Sequence, residues 1–141
     1  MVADAIGGAG EAEQGLRNME RVWITLGSLA GLTAVAMAAL AAHGLEWLEP
    51  ARLQMVRNSV EMHGWHALAL LACGFWAPRG GRLVDWAGCA FGIGIVLFCG
   101  AVYSIALTGG RLAILAPIGG TLLMLGWLLL GFSAALAPRT R

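Results

Sequence analysis

The chain is 141 residues long, with 59% hydrophobic and 12% charged side chains, against roughly a quarter charged in an ordinary soluble domain. This length allows one domain and leaves no room for a separate soluble catalytic unit beside the apolar stretches. Net charge is +1, and the nine basic residues are all arginine, scattered without a run that could track a phosphate backbone, which argues against nucleic acid as a partner.

Residues 1–20 hold Gly7, Gly8, Gly10, Glu11 and Glu13 with few large apolar side chains, and are expected to form a disordered, mobile tail. The first apolar stretch, about 22–45, is long enough to cross a hydrocarbon core of ~30 Å at ~1.5 Å per residue. Ala36, Ala38 and Ala41 offer cleavage patterns of the kind that follow a secretory leader. The preceding segment, however, mixes Asp4, Glu11, Glu13 and Glu20 with Arg17 and Arg21, and the apolar run exceeds the usual ~7 to 15 residues. Retention as a membrane span is the expectation.

Between Glu46 and Arg57 the chain turns polar, with Pro50 where a first helical turn tolerates proline and Leu53, Val56 and Val60 at helical spacing. A second span is expected over about 59–77, ended by the breaker Pro78-Arg79-Gly80-Gly81, with Trp76 and Trp86 as interfacial anchors. A third covers about 85–107. Thr108-Gly109-Gly110-Arg111 then turns the chain into a fourth, about 112–136. Short connections force antiparallel neighbours, so the predicted fold is an all-α membrane protein, a four-transmembrane-helix antiparallel bundle over 21–137.

Gly27 and Gly31, and Gly88 and Gly92, lie four apart and are suited to close helix contact. Cys73, Cys89 and Cys99 are odd in number, form no Cys-x-x-Cys pair and read as small apolar residues. Arginines near the span ends are divided six (Arg17, Arg21, Arg79, Arg82, Arg139, Arg141) against three (Arg52, Arg57, Arg111), which predicts both termini on the cytoplasmic side.

The residues that interrupt the apolar monotony gather at one end. His43 ends the first span, Glu61, His63 and His66 begin the second, Tyr103 ends the third and Pro117 begins the fourth. His66 would lie ~10 Å along its helix, where an ionisable side chain needs a partner or a wet cavity, and Tyr103 is its candidate partner. A neutral histidine tying helices together is the plainest use. Two others compete: a metal or haem site from His43, His63 and His66, since imidazole is a common ligand, and a proton or solute path. Glu61 can pair with Arg57 one turn earlier. Pro117 with Gly119 and Gly120 predicts a kink or a wide turn in the fourth span.

At these segments the chain resembles the YgdD-like family of small membrane proteins, domain of unknown function 423, whose eukaryotic relatives are called the transmembrane protein 256 family. The resemblance runs from about Leu26 to Leu130. It is carried by Ala-Ala-His-Gly-Leu (41–45), His-Ala-Leu-Ala-Leu-Leu (66–71), Tyr103 with Ala-Leu-Thr-Gly (106–109), Pro-Ile-Gly-Gly (117–120) and Gly126-Trp127. It implies a multi-span plasma-membrane protein in bacteria and carries no established activity. His43 and His66 match the family's histidines, whereas His63 stands where another polar residue is expected and Trp65 where tyrosine is usual; that departure weakens a three-histidine metal site.

With no nucleophile and base, no phosphate-cradling loop and no carboxylate pair inside the apolar stretches, the expected function is a non-enzymatic inner-membrane protein without a cofactor. It would be a structural or accessory subunit of a membrane complex, or a homo-oligomer, in the lipid bilayer. A small channel or carrier for protons, ions or another small solute is the alternative.

Overall fold

A computed structural model describes residues 2–137. Among these the chain is almost entirely helical, without a strand: α1 spans Val2–His43, α2 Pro50–Thr108 and α3 Leu115–Leu136, the last entered through a 3-10 turn, Leu112–Ile114. Three helical stretches, Asn18–His43, Pro50–Thr108 and Leu112–Leu136, are long and apolar enough to cross a membrane. Large apolar side chains such as Leu32, Val35, Phe75, Val96 and Leu128 stand exposed around the outside; an apolar surface this extensive is one that lipid covers.

The expected four helices are three elements, because the breaker at 78–81 interrupts the helix at one residue. Gly81, at φ 58 and ψ −153, is the one non-helical position inside α2, in a region essentially confined to glycine. α2 doubles back there. Cys99 Sγ lies 3.7 Å from the Ser59 carbonyl oxygen and the His66 ring 5.8 Å from that of Phe91, so the arms 50–80 and 82–108 lie side by side, antiparallel. On the first arm Ser59, His63, His66, Leu70 and Cys73 are buried, and on the second Val84, Ala87, Phe91, Ile95 and Cys99. Those steps of three and four residues keep one face of each arm turned inward.

Glycine sets how closely the elements approach. A Cβ on Gly88 would stand 2.6 Å from the Trp23 ring, one on Gly126 2.6 Å from the Phe91 ring, and one on Gly27 2.9 Å from the Leu71 backbone, whereas Gly31 and Gly92 face open space. Each predicted glycine pair thus has one member at a helix contact and one outside it.

Two further expectations are corrected. α1 begins at Val2, so residues 2–20 are helical where a mobile tail is expected. Four alanines and three glutamates favour the helix there and no proline interrupts it, while four glycines, Gly7, Gly8, Gly10 and Gly15, work against it. Pro117 kinks nothing: α3 starts at Leu115, so the proline occupies its first turn, where its missing N–H would have had no helical acceptor. The chain before it is a 3-10 turn, with the Leu115 N–H on the Leu112 carbonyl.

Candidate functional site

The buried face of α2 carries two histidines one turn apart, and their surroundings differ. His66, 4% exposed, has Nδ1 2.7 Å from the Met62 carbonyl oxygen and Nε2 3.2 Å from Trp127 Nε1 on α3. A carbonyl can only accept and an indole N–H can only donate. His66 is therefore a neutral imidazole with its proton on Nδ1, donating to Met62 and accepting from Trp127. Phe91 and Trp127 close around it, ring centroids 5.8 and 6.1 Å away and 5.3 Å from each other. Both arms of α2 and α3 meet at this ring, and neither nitrogen has a lone pair left for a metal or a substrate.

His63, 7% exposed, sits between two hydroxyls. Nε2 is 3.3 Å from Thr33 Oγ1 on α1 and Nδ1 is 3.4 Å from Tyr103 Oη on the second arm of α2. The Thr33 hydroxyl itself points at the carbonyls of Leu29 and Ala30, 3.0 and 2.9 Å away. With that proton committed, the chain reads in one direction: Tyr103 donates to His63, His63 donates to Thr33, and Thr33 donates to α1's backbone. Beside Tyr103 and Cys99, Ser59 Oγ is buried with no completed hydrogen bond.

This chain borders a cleft of about 450 Å³ between α1 and the second arm of α2. It is lined by apolar residues that include Leu26, Ile95 and Val96, by Gly92 and Gly100, and by the polar groups of Thr33, His63, Cys99 and Tyr103; among the described residues no charged one lines it.

Of the residues singled out by sequence, the structure brings together His63 and Tyr103, and one turn along α2, His66. Tyr103, expected to partner His66, partners His63 instead. His43 ends α1 exposed, Glu61 is exposed on another face of α2, and Pro117 is exposed on α3. The three histidines do not converge: among the described residues no group of three His, Cys, Asp or Glu side chains is placed to hold an ion. Thr33, Ser59 and Trp127 were not read as site residues. Ser59 carried a signal, since 59, 63, 66, 70 and 73 fall in step; Thr33 and Trp127 carried none, because their roles depend on which helix faces which.

Residues 37–120 match the family model described as "Protein of unknown function (DUF423)". The chain belongs to the DUF423 family. Its DUF423 match takes in His43, His63, His66, Tyr103 and Pro117, while Thr33 and Trp127, which complete the two histidine arrangements, lie outside the matched residues. The chain is 34% identical to a UPF0382 membrane protein of Haemophilus influenzae over 82% of its own length and 95% of the relative's. It is 38% identical to one of Staphylococcus epidermidis (78% and 92%) and 36% identical to the UPF0382 membrane protein YwdK of Bacillus subtilis (81% and 96%). No solved structure matches it. Like these relatives, this DUF423 chain is a membrane protein whose biochemical activity is not established.

Proposed function

We propose that the chain is a non-enzymatic protein of the bacterial inner membrane that crosses it four times as an antiparallel bundle, with both termini cytoplasmic, and serves as a structural or accessory subunit of a larger membrane complex. The four crossings are supported by length: the 59 residues of α2 would extend roughly 88 Å as one rod, about three times the hydrocarbon thickness, and the pairings across Gly81 fold it in half. The orientation rests on the arginine excess at the termini and the 79–82 turn.

The observation that carries the non-enzymatic reading is His66. Its two nitrogens are spent on Met62 and Trp127, so the more buried of the two α2 histidines acts as a fastener between α2 and α3. Purification in a mild detergent followed by native mass spectrometry tests the accessory role. A stoichiometric protein partner is expected; a lone monomer or dimer would overturn it.

A second reading, a small channel or carrier for protons, ions or another small solute, is favoured by His63, whose hydroxyl partners accept either a neutral or a protonated ring. Proteoliposomes showing no pH- or solute-dependent flux, with wild type and His63→Ala alike, would remove it.

A further inference from the structure

We propose that the cleft between α1 and the second arm of α2 binds one uncharged lipophilic molecule through a carbonyl group, with Tyr103 as the donor. The inference goes beyond the proposed function and holds with or without a protein partner.

The walls select an apolar body. They are hydrocarbon and glycine, with no Arg, Asp or Glu among the described lining residues, so a charged headgroup would lose its hydration on entry and meet no counter-charge. A volume of about 450 Å³ falls within the ~300 to 1,000 Å³ usual for small-molecule sites. Space stands open beside the two glycines of the lining, since a Cβ on Gly92 or Gly100 would meet nothing within 4 Å. None of the described residues fills that space.

The polar end selects a hydrogen-bond acceptor. The two links to His63, 3.3 and 3.4 Å, are longer than the usual ~2.7 to 3.0 Å, and both partners are hydroxyls that can donate or accept. The direction of the chain can therefore be reversed. Thr33 then donates to His63 Nε2, the imidazole proton moves to Nδ1 and is donated to Tyr103 Oη, and the Tyr103 proton is freed. Every group keeps a partner except that hydroxyl, which borders the cleft. A ligand carbonyl completes the reversed chain; without one, the forward direction ending on the Leu29 and Ala30 carbonyls leaves none of the hydroxyl and imidazole protons of Tyr103, His63 and Thr33 without an acceptor. His66 cannot make the same exchange, because the Trp127 indole only donates. Ser59 Oγ, buried beside Tyr103 without a completed bond, supplies a further hydroxyl that can donate to Tyr103 Oη as it turns.

Two membrane-soluble sources carry this chemistry, a ring carbonyl on an isoprenoid quinone and an ester carbonyl on an acyl lipid. Purified protein in detergent is titrated with decylubiquinone, ethyl palmitate, oleic acid and hexadecane, and occupancy is read by native mass spectrometry. Saturable 1:1 binding of decylubiquinone or of ethyl palmitate is expected, and whichever binds identifies the source. Tyr103→Phe should weaken it by about 3- to 10-fold, the value of one hydrogen bond. Gly92→Leu and Gly100→Leu should abolish it by filling the cleft while leaving the polar chain intact, and Gly31→Leu, on another face, should leave it unchanged. The ring 15N shifts of His63 should exchange between the two tautomers on saturation. Hexadecane or oleic acid binding as tightly as the carbonyl probes, binding that survives both glycine variants, or no saturable binding of any probe would overturn the proposal.

Discussion

His66 and His63 differ in what their neighbours tolerate, and that difference sets what substitution should do. At His66 the acceptor on one side and the donor on the other admit a single neutral form. Trp127→Phe removes the donor and should lower stability by about 0.5 to 1 kcal/mol, in the range of hydrogen bonds between helices in membranes. His66→Ala removes both bonds and leaves a void against Phe91, so its loss should be larger, about 2 kcal/mol. Thermal unfolding in detergent measures both, and equal losses for the two variants would mean that the indole bond, and not the packing of the ring, accounts for the whole effect. Sequence marked His66 as a residue needing a partner and assigned Tyr103; depth along a helix is readable from residue count, but rotation about its axis is not, and rotation is what gives Tyr103 to His63 and Trp127 to His66. His43 shows the same limit: it is near the others in depth, yet exposed at the end of α1.

For the elements, what could be read were the apolar lengths and the punctuating residues, and what could not was how each punctuation mark would act. Pro78-Arg79-Gly80-Gly81 was expected to break the chain as a loop, yet the turn is concentrated in the dihedral angles of Gly81. Gly81→Ala should therefore destabilise by about 1 to 3 kcal/mol, the cost of holding a side chain in that region. Gly31→Ala, helical and with open space around its Cβ position, should stabilise by about 0.5 to 1 kcal/mol. Opposite signs in the same unfolding assay separate a dihedral requirement from a packing one. Pro117 was expected in the interior of a span, where replacing proline by alanine would recover about 3 kcal/mol of helix propensity. In the first turn of α3 it occupies a position that lacks a helical acceptor in any case, so Pro117→Ala should change stability by less than about 0.5 kcal/mol. Only the start of the helix, three residues later than the apolar run, separates these outcomes, and element ends are where sequence patterns are least sharp.

For the whole molecule, the number of crossings and the orientation are separable questions, and two arginines distinguish them. If the two arms of α2 each cross the membrane, Arg82 at the turn and Arg111 beyond its end lie on opposite faces; if the hairpin does not cross, they lie on the same face. Both arginines are exposed, so cysteine can replace either without disturbing the core. The native thiols do not interfere with a membrane-impermeant maleimide, since Cys73 and Cys99 are buried and Cys89, although exposed, is flanked by apolar residues on the lipid-covered surface. In intact cells Arg111→Cys should be labelled and Arg82→Cys should be labelled only after lysis. Reversed labelling would keep the double crossing and invert the orientation, showing that a six-to-three arginine excess is too small to decide it. Equal labelling of the two positions would overturn the double crossing itself. α2 would then enter and leave on one side without crossing, α1 and α3 would make two crossings with the termini still on the same side, and the antiparallel pairing of the arms about Gly81 would have to be accommodated within a single leaflet, where a pair of apolar arms, each long enough to span the core, has no place to go.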